Sequence, residues 1–243
     1  MSTCSDSENS PPGPFARLLA GTPARVAELD PDLVAAGAGL FPEEAEQIQR
    51  AVESRQKQFT AGRLLARRAW AELGVAPSPL LNDERRVPVW PAGLVGSITH
   101  TRGWCAAAVA RAADLAALGV DVEAATPLEH GLWERVCRPE ERTFLDAQPA
   151  PQRGLLAKVV FSAKESIYKA LYPRIRVFLD FQGMSVQLAA MAQGQWAWHA
   201  ELQVPWGGLR AGERFGPGLL SFDAHFVRTA IVLSHHDLQL PDV

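Results

Sequence analysis

Two widely separated stretches share one outline: FTAGRLLARRAW begins at Phe59 and FSAKESIYKALY at Phe161. Both open Phe-[Thr/Ser]-Ala, then place a charged residue (Arg63 or Glu165) and a basic one (Arg67 or Lys169) at matching offsets. Each is followed by turn-rich sequence and then by strand-like runs. The pattern points to an α+β chain of two helix-plus-sheet halves packed side by side. Two amphipathic helices of similar composition would give the same outline, so the echo alone leaves duplication and coincidence equally open.

Around these stretches the chain divides readily. Residues 41–74 read as helix, with Pro42 near the start and Gly74 as the stop. A charged break near Glu53 to Lys57 divides them into two helices. APSPLLNDERRVPVWPAG is turn-rich. LVGSITH and WCAAAVAR read as strands about a tight turn at Arg102-Gly103, and LAALGVDVEAA as a further strand. Helical stretches follow over 130–147, then a helix carrying FSAKESIYKALY and stopped by Pro173. FQGMSVQLAA, QWAWHAELQV and HFVRTAIVLS return to strand. Residues 1–15, rich in Ser and Pro, are expected to be a disordered tail. An N-terminal half is expected over 16–116 and a C-terminal half over 117–243.

The net charge of −3 predicts no general affinity for nucleic acid, so an anionic ligand needs a local cluster of Arg and Lys. Three cysteines (Cys4, Cys105, Cys137) show no metal-ligand spacing and suit a reducing compartment. The N-terminus has neither a basic leader nor an apolar stretch. The most apolar region is interrupted by Arg111 and Asp114, too soon for a membrane span. A cytoplasmic protein without membrane or nucleic-acid partners is expected.

Chemistry concentrates in four places. In GVDVE, Asp121 and Glu123 stand two apart on a strand, so both carboxylates leave the same face. Such a pair suits a hydrated strand end, or a Mg²⁺ site completed by water and phosphate. In FSAKESIYKA, Glu165 and Lys169 are a helical i,i+4 pair, an arrangement equally common on exposed surfaces. Ser162 and Glu165 also have capping-box spacing. GSITHT offers Thr99 and His100 beside a glycine, a set that can receive phosphate oxygens. Arg55 and Arg63, eight apart, lie about 80° apart around a helix and can flank one anion; a solvated basic face reads the same way.

In this order, these pieces resemble the 4'-phosphopantetheinyl transferases, particularly the long single-chain subgroup of enterobactin synthetase component D and the actinobacterial carrier-activating enzymes. The resemblance rests on Gly119–Glu123, on Phe161–Lys169, on Arg-x7-Arg in RQKQFTAGR, on PVWP and on GSITH. It runs from about Phe41 to Pro173. Phe161 stands where many members have tryptophan. The resemblance implies two similar halves related by a pseudo-twofold, with the active site in the cleft between them, and a monomer.

By the same resemblance, Asp121, Glu123 and Glu165 would bind Mg²⁺ with the pyrophosphate of coenzyme A, and Glu165 would also be a candidate base for the incoming serine. Lys164 and Lys169 would lie near the phosphates, the latter counted with Asp121 and Glu165 in the catalytic set. Arg55, Arg63, Arg86, Thr99 and His100 would hold the remainder of coenzyme A. The implied reaction moves 4'-phosphopantetheine to a serine of an apo acyl or peptidyl carrier protein of fatty acid, polyketide or nonribosomal peptide synthesis, releasing adenosine 3',5'-bisphosphate. The helix N-terminus would favour the phosphates. Arg135, Arg138, Arg142 and Arg153 are candidates for docking an acidic carrier. The alternatives are a Mg²⁺-dependent phosphoesterase using water as nucleophile, and a non-catalytic coenzyme A-binding module.

Overall fold

The computed structural model describes residues 12–190 and 196–238. Of the expected tail, residues 1–11 lie outside this range. Pro14 and Phe15 are not tail: helix α1 spans Pro14–Leu18, and Phe15 is buried.

In the N-terminal half, α2 (Pro42–Ile48) and α3 (Glu53–Ala71) follow β1 (Arg25–Leu29) and precede the hairpin of β2 (Leu94–Thr101) and β3 (Trp104–Arg111). The break between α2 and α3 falls just before Glu53, upstream of the expected position. The three strands form an antiparallel sheet ordered β1-β3-β2. Small residues on α3, including Ala61, Ala66 and Ala69, let it lie close on Cys105, Ala107 and Val109 of β3.

The C-terminal half runs β4 (Ala117–Ala124), α4 (Trp133–Val136), α5 (Pro139–Asp146), α6 (Ala150–Ile175), β5 (Met184–Ala190), β6 (Trp196–Leu202), β7 (Arg214–Phe222) and β8 (Phe226–Leu233). Its antiparallel sheet is ordered β4-β8-β7-β6-β5. Helix α6 crosses this sheet at Gly119, where a Cβ would sit 1.9 Å from the Ser166 carbonyl oxygen. Gly119 is therefore needed for close approach, not for turning. Pro173 does not stop α6. The helix runs on to Ile175 and ends at Arg176, which takes a left-handed φ of 60°.

Each half thus lays one long helix on one antiparallel sheet. The likeness reaches a buried carboxylate in each. Glu44 of α2 accepts from Phe41 N (2.9 Å), Leu80 N (2.8 Å) and Arg67 Nη1 of α3 (2.6 Å). Glu141 of α5 accepts from Arg138 N (2.7 Å), Val186 N (2.6 Å) and Lys164 Nζ of α6 (2.8 Å). In both halves a Pro-Glu-Glu helix start supplies a carboxylate that closes its own first turn, ties down a later backbone N–H and neutralises a cation on the long helix.

The sheets meet edge to edge at β2 and β4. An edge strand leaves a row of unpaired N–H groups. Here side chains receive two of them: Val120 N donates to Ser97 Oγ (3.1 Å) and Val122 N to Thr99 Oγ1 (3.0 Å). Behind the seam, Ala106 and Ala108 of β3 pack on Leu118, Val120 and Val122 of β4 with Phe15. Both strands are covered on two faces, so residues 105–110 of β3 and 117–122 of β4 are buried without a break. Among the described residues no helix is long and apolar enough to cross a membrane.

Candidate active site

Helix α6 runs along β4 with Lys158, Ser162, Glu165 and Lys169 recurring at intervals of four, three and four, which places them on one face. Each meets or approaches a β4 carboxylate. Asp121, almost fully buried, pairs through Oδ1 with Lys169 Nζ at 2.5 Å and through Oδ2 with Ser162 Oγ at 2.8 Å. Glu123 lies 3.5 Å from Lys158 Nζ. Glu165 has no hydrogen bond among the described residues. Burial raises its pKa, Lys169 opposes the rise, and the charges of Asp121 and Glu123 add to it. Glu123 is likewise raised by burial and then by Asp121. The three carboxylates therefore feel one another. Among the described residues, no three His, Cys, Asp or Glu side chains stand close enough together to hold a metal ion as placed; Asp121 and Glu123 are instead paired with Lys169 and Lys158.

Next to Asp121 opens a cavity of about 340 Å³ between the halves. Arg55 and Arg63 of α3, Arg85 and Arg86 of the following loop, His100 of β2 and Lys169 of α6 bring positive charge and donors to its wall. Arg63 is buried and anchored, with Nε donating to the Leu80 carbonyl (3.1 Å) and Nη2 to Asn82 Oδ1 (2.5 Å). Burial brings its pKa down to about 10, with Arg55 and Arg67 adding to the shift. Arg55 Nη1 lies 2.8 Å from His100 Nε2. Burial and then the charges of Arg55 and Lys169 push His100 down to about 4, so its imidazole is neutral and accepts this bond. The loop carrying Arg86 is held across the cleft: Asp83 pairs with the Arg176 guanidinium, and Arg85 donates to the Arg176 carbonyl. A second cavity, of about 200 Å³, borders Glu165 and shares Tyr168 with the first.

Asp121, Glu123, Glu165 and Lys169 are thus brought together, beside Arg55, Arg63, Arg86 and His100. Two of the residues expected near the phosphates have their polar groups engaged within the protein. Thr99 is buried, and its hydroxyl is engaged within the protein: it accepts from Val122 N and donates to Asp121 Oδ1 (3.3 Å). Lys164 is 3% exposed and its ammonium is saturated by Glu141 (2.8 Å) and by the carbonyls of Val136 (2.8 Å) and Phe181 (2.9 Å). Three donors meet three acceptors, leaving none for a ligand. The capping-box reading also fails, since α6 begins at Ala150 and Glu165 stands in mid-helix. For the same reason the helix dipole contributes little there.

Of the four candidate docking arginines, two make hydrogen bonds within the protein and a third stands 3.6 Å from an exposed glutamate. Arg138 donates to Glu140, Arg142 lies near Glu134, and Arg153 donates to the Gln148 carbonyl. Arg135 borders the cavity beside Glu165. Tyr168 and Asn82 line the larger cavity without having been singled out by sequence, whereas Trp90, which also lines it, belongs to the PVWP segment. Tyr168, directly before Lys169 in the helix motif, was the one with an available signal.

Residues 43–110 match the family model of the 4'-phosphopantetheinyl transferase N-terminal domain, and residues 117–206 that of the 4'-phosphopantetheinyl transferase superfamily. The chain is 47% identical over 143 residues to 4'-phosphopantetheinyl transferase Svp of Streptomyces mobaraensis. That match spans only 58% of either chain. Identity to 4'-phosphopantetheinyl transferase Npt of Nocardia iowensis is 36% over 200 residues, covering 78% of this chain and 87% of that one. Enterobactin synthase component D of Salmonella typhi is 35% identical over 133 residues, 54% of each chain.

Proposed function

The chain belongs to the 4'-phosphopantetheinyl transferase superfamily, and on that footing we propose that it transfers the 4'-phosphopantetheine of coenzyme A to a serine hydroxyl of an apo carrier protein. The observation that carries this reading is the adjacency of two opposite environments across Lys169: three mutually repelling carboxylates on one side, a cavity rich in Arg on the other. A chain of net charge −3 that gathers arginines around one cavity has a site for a polyanion. Coenzyme A carries a pyrophosphate and a 3'-phosphate.

In the reaction, the serine oxygen forms a bond to the phosphorus that bears pantetheine, and the bond from that phosphorus to the bridging pyrophosphate oxygen breaks. Adenosine 3',5'-bisphosphate leaves with the bridging oxygen. Arg55, Arg63 and Arg86 bind and orient the phosphates, arginine being suited to paired contacts with phosphate oxygens. Lys169 stands between Asp121 and the cavity, where its charge offsets that of the transferring group. Glu165, kept basic by burial and by its carboxylate neighbours, takes the serine proton.

The donor set of Asp121, Glu123 and Glu165 fits a hard divalent cation: carboxylates only, with neither thiol nor imidazole among them. Mg²⁺ held there would neutralise charge on the pyrophosphate. The test is intact-protein mass spectrometry of apo carrier proteins after incubation with the protein, coenzyme A and Mg²⁺. A gain of one phosphopantetheine, lost with EDTA and in Glu165→Gln, is expected. Coenzyme A hydrolysis without any carrier modification would overturn the reading.

A further inference from the structure

Beneath Asp121 lies a cluster of three hydroxyls, two from the Phe161–Lys169 stretch and one from outside every motif. Ser162 and Ser166 of α6 and Thr229 of β8 are all fully buried. Ser162 Oγ lies 2.8 Å from Asp121 Oδ2 and 2.9 Å from Thr229 Oγ1. Thr229 Oγ1 in turn lies 2.7 Å from Ser166 Oγ and 2.9 Å from the Ser162 carbonyl oxygen.

Counting protons orders the cluster. Each hydroxyl has one proton to give. Ser162 Oγ donates to Asp121 Oδ2, which uses its one proton. Ser162 Oγ must then accept at its contact with Thr229. Thr229 has one proton for two acceptors on Ser162, its Oγ and its carbonyl oxygen, and Ser166 has one for two on Thr229, its Oγ1 and its carbonyl oxygen. Each hydroxyl thus spends its proton on the residue next nearer Asp121, and the series ends on one carboxylate oxygen, where hydrogen bonds in sequence strengthen one another.

We propose that Thr229 is a positioning residue for Asp121, acting through Ser162 to hold Oδ2 inward and present Oδ1 to Lys169 and the cleft. Thr229 comes from the final strand pair, outside every motif that the sequence offered. Val122 N and Thr99 support the opposite side of the same residue. With both flanks fixed, Asp121 keeps one orientation. The inference rests on the proposed role of Asp121 as a metal ligand.

The test is a Mn²⁺ titration of the full chain with coenzyme A present, read by electron paramagnetic resonance, alongside metal-free melting curves. Thr229→Val is expected to weaken Mn²⁺ binding about tenfold or more, the usual consequence of losing a group that orients a metal ligand. Thr229→Ser, which keeps the hydroxyl, is expected to restore it. Ser162→Ala provides a second route should Thr229→Val not fold, because Thr229 can still donate to the Ser162 carbonyl. It is expected to weaken Mn²⁺ binding at least as much. Ser166→Ala, furthest from Asp121, is expected to do least. Folded Thr229→Val or Ser162→Ala proteins that bind Mn²⁺ like the wild type would overturn the positioning role. So would losses that follow melting temperature alone, or a Thr229→Ser protein as weak as Thr229→Val. A wild type that binds no Mn²⁺ while coenzyme A is bound would instead overturn the metal reading, and the inference with it.

Discussion

Lys164 and Glu165 are adjacent in the chain, yet the ammonium of one is fully hydrogen-bonded within the fold while the carboxylate of the other has no hydrogen-bond partner among the described residues. The Lys164 ammonium is held by Glu141 and two carbonyls, tying α6 to α4, α5 and the turn at Phe181. The Glu165 carboxylate stands with Asp121, Glu123 and Lys169. One motif thus carries side by side a lysine committed to the fold and the glutamate to which the proposed reaction gives the serine proton.

Lys164→Met is therefore expected to act on folding. It leaves Glu141 charged and buried without its cation, which costs about 3–5 kcal/mol. Chemical denaturation should register that loss, while coenzyme A affinity of the folded fraction, measured by calorimetry, stays at the wild-type value. A stable protein with lost affinity would return Lys164 to the phosphates.

Glu165→Gln is expected to do the reverse. It has no hydrogen-bonded partner to abandon, so the melting temperature should hold. Carrier modification should fall about a hundred- to ten-thousand-fold, the range associated with a positioned acid or base. Single-turnover rates measured with saturating coenzyme A would separate this from weakened binding.

The neutral His100 gives a pH signature. Its folded pKa of about 4 lies below the model-peptide value of 6.5. As pH falls from 6.5 towards 4, the unfolded chain takes up a proton that the folded chain refuses, so His100 lowers stability over that window. His100→Gln is expected to lose stability less steeply than the wild type between those limits, as followed by denaturation at a series of pH values. Phosphate groups bound beside Arg55 and Lys169 would relieve the repulsion and raise the imidazole pKa, which nuclear magnetic resonance can follow directly. Parallel stability curves for the two proteins would remove His100 from the account.

Gly119→Ala is expected to be severe despite adding one methyl. Its Cβ would collide with backbone, the Ser166 carbonyl, not with a side chain free to swing away. Moving α6 off β4 separates Ser162 and Lys169 from Asp121, so activity and stability should fall together, the latter by about 1–3 kcal/mol or more. Unchanged melting and transfer would mean that α6 slides freely.

Much of this organisation is legible in the sequence, because strand pairs such as Asp121 and Glu123, and helical pairs such as Glu165 and Lys169, obey fixed periods. Helical phase without a partner surface is less informative. Lys164 and Lys169 differ by about 140° around the axis and Glu165 and Lys169 by about 40°, but only the position of β4 reveals which side matters. The start of α6 was hidden by Pro151 and Gly154. The first fits a helix's opening turn, and the second makes room for Pro127, whose Cβ would lie 2.6 Å from an added Cβ. Strand β7 has little strand signal in its sequence, because Gly216, Pro217 and Gly218 fall inside it. Gly218 lies under the Trp198 ring, where a Cβ would come within 2.1 Å of it. The short β1, RVAEL, carried too little alternation to stand out.

The seam between β2 and β4 has a mechanical consequence. Main-chain ladders are nearly indifferent to side-chain identity, whereas this junction depends on two hydroxyls, Ser97 and Thr99. Its stiffness is thereby open to adjustment by single substitutions. A ligand gripped by α3 on one side and α6 on the other would be reporting on that stiffness each time it bound.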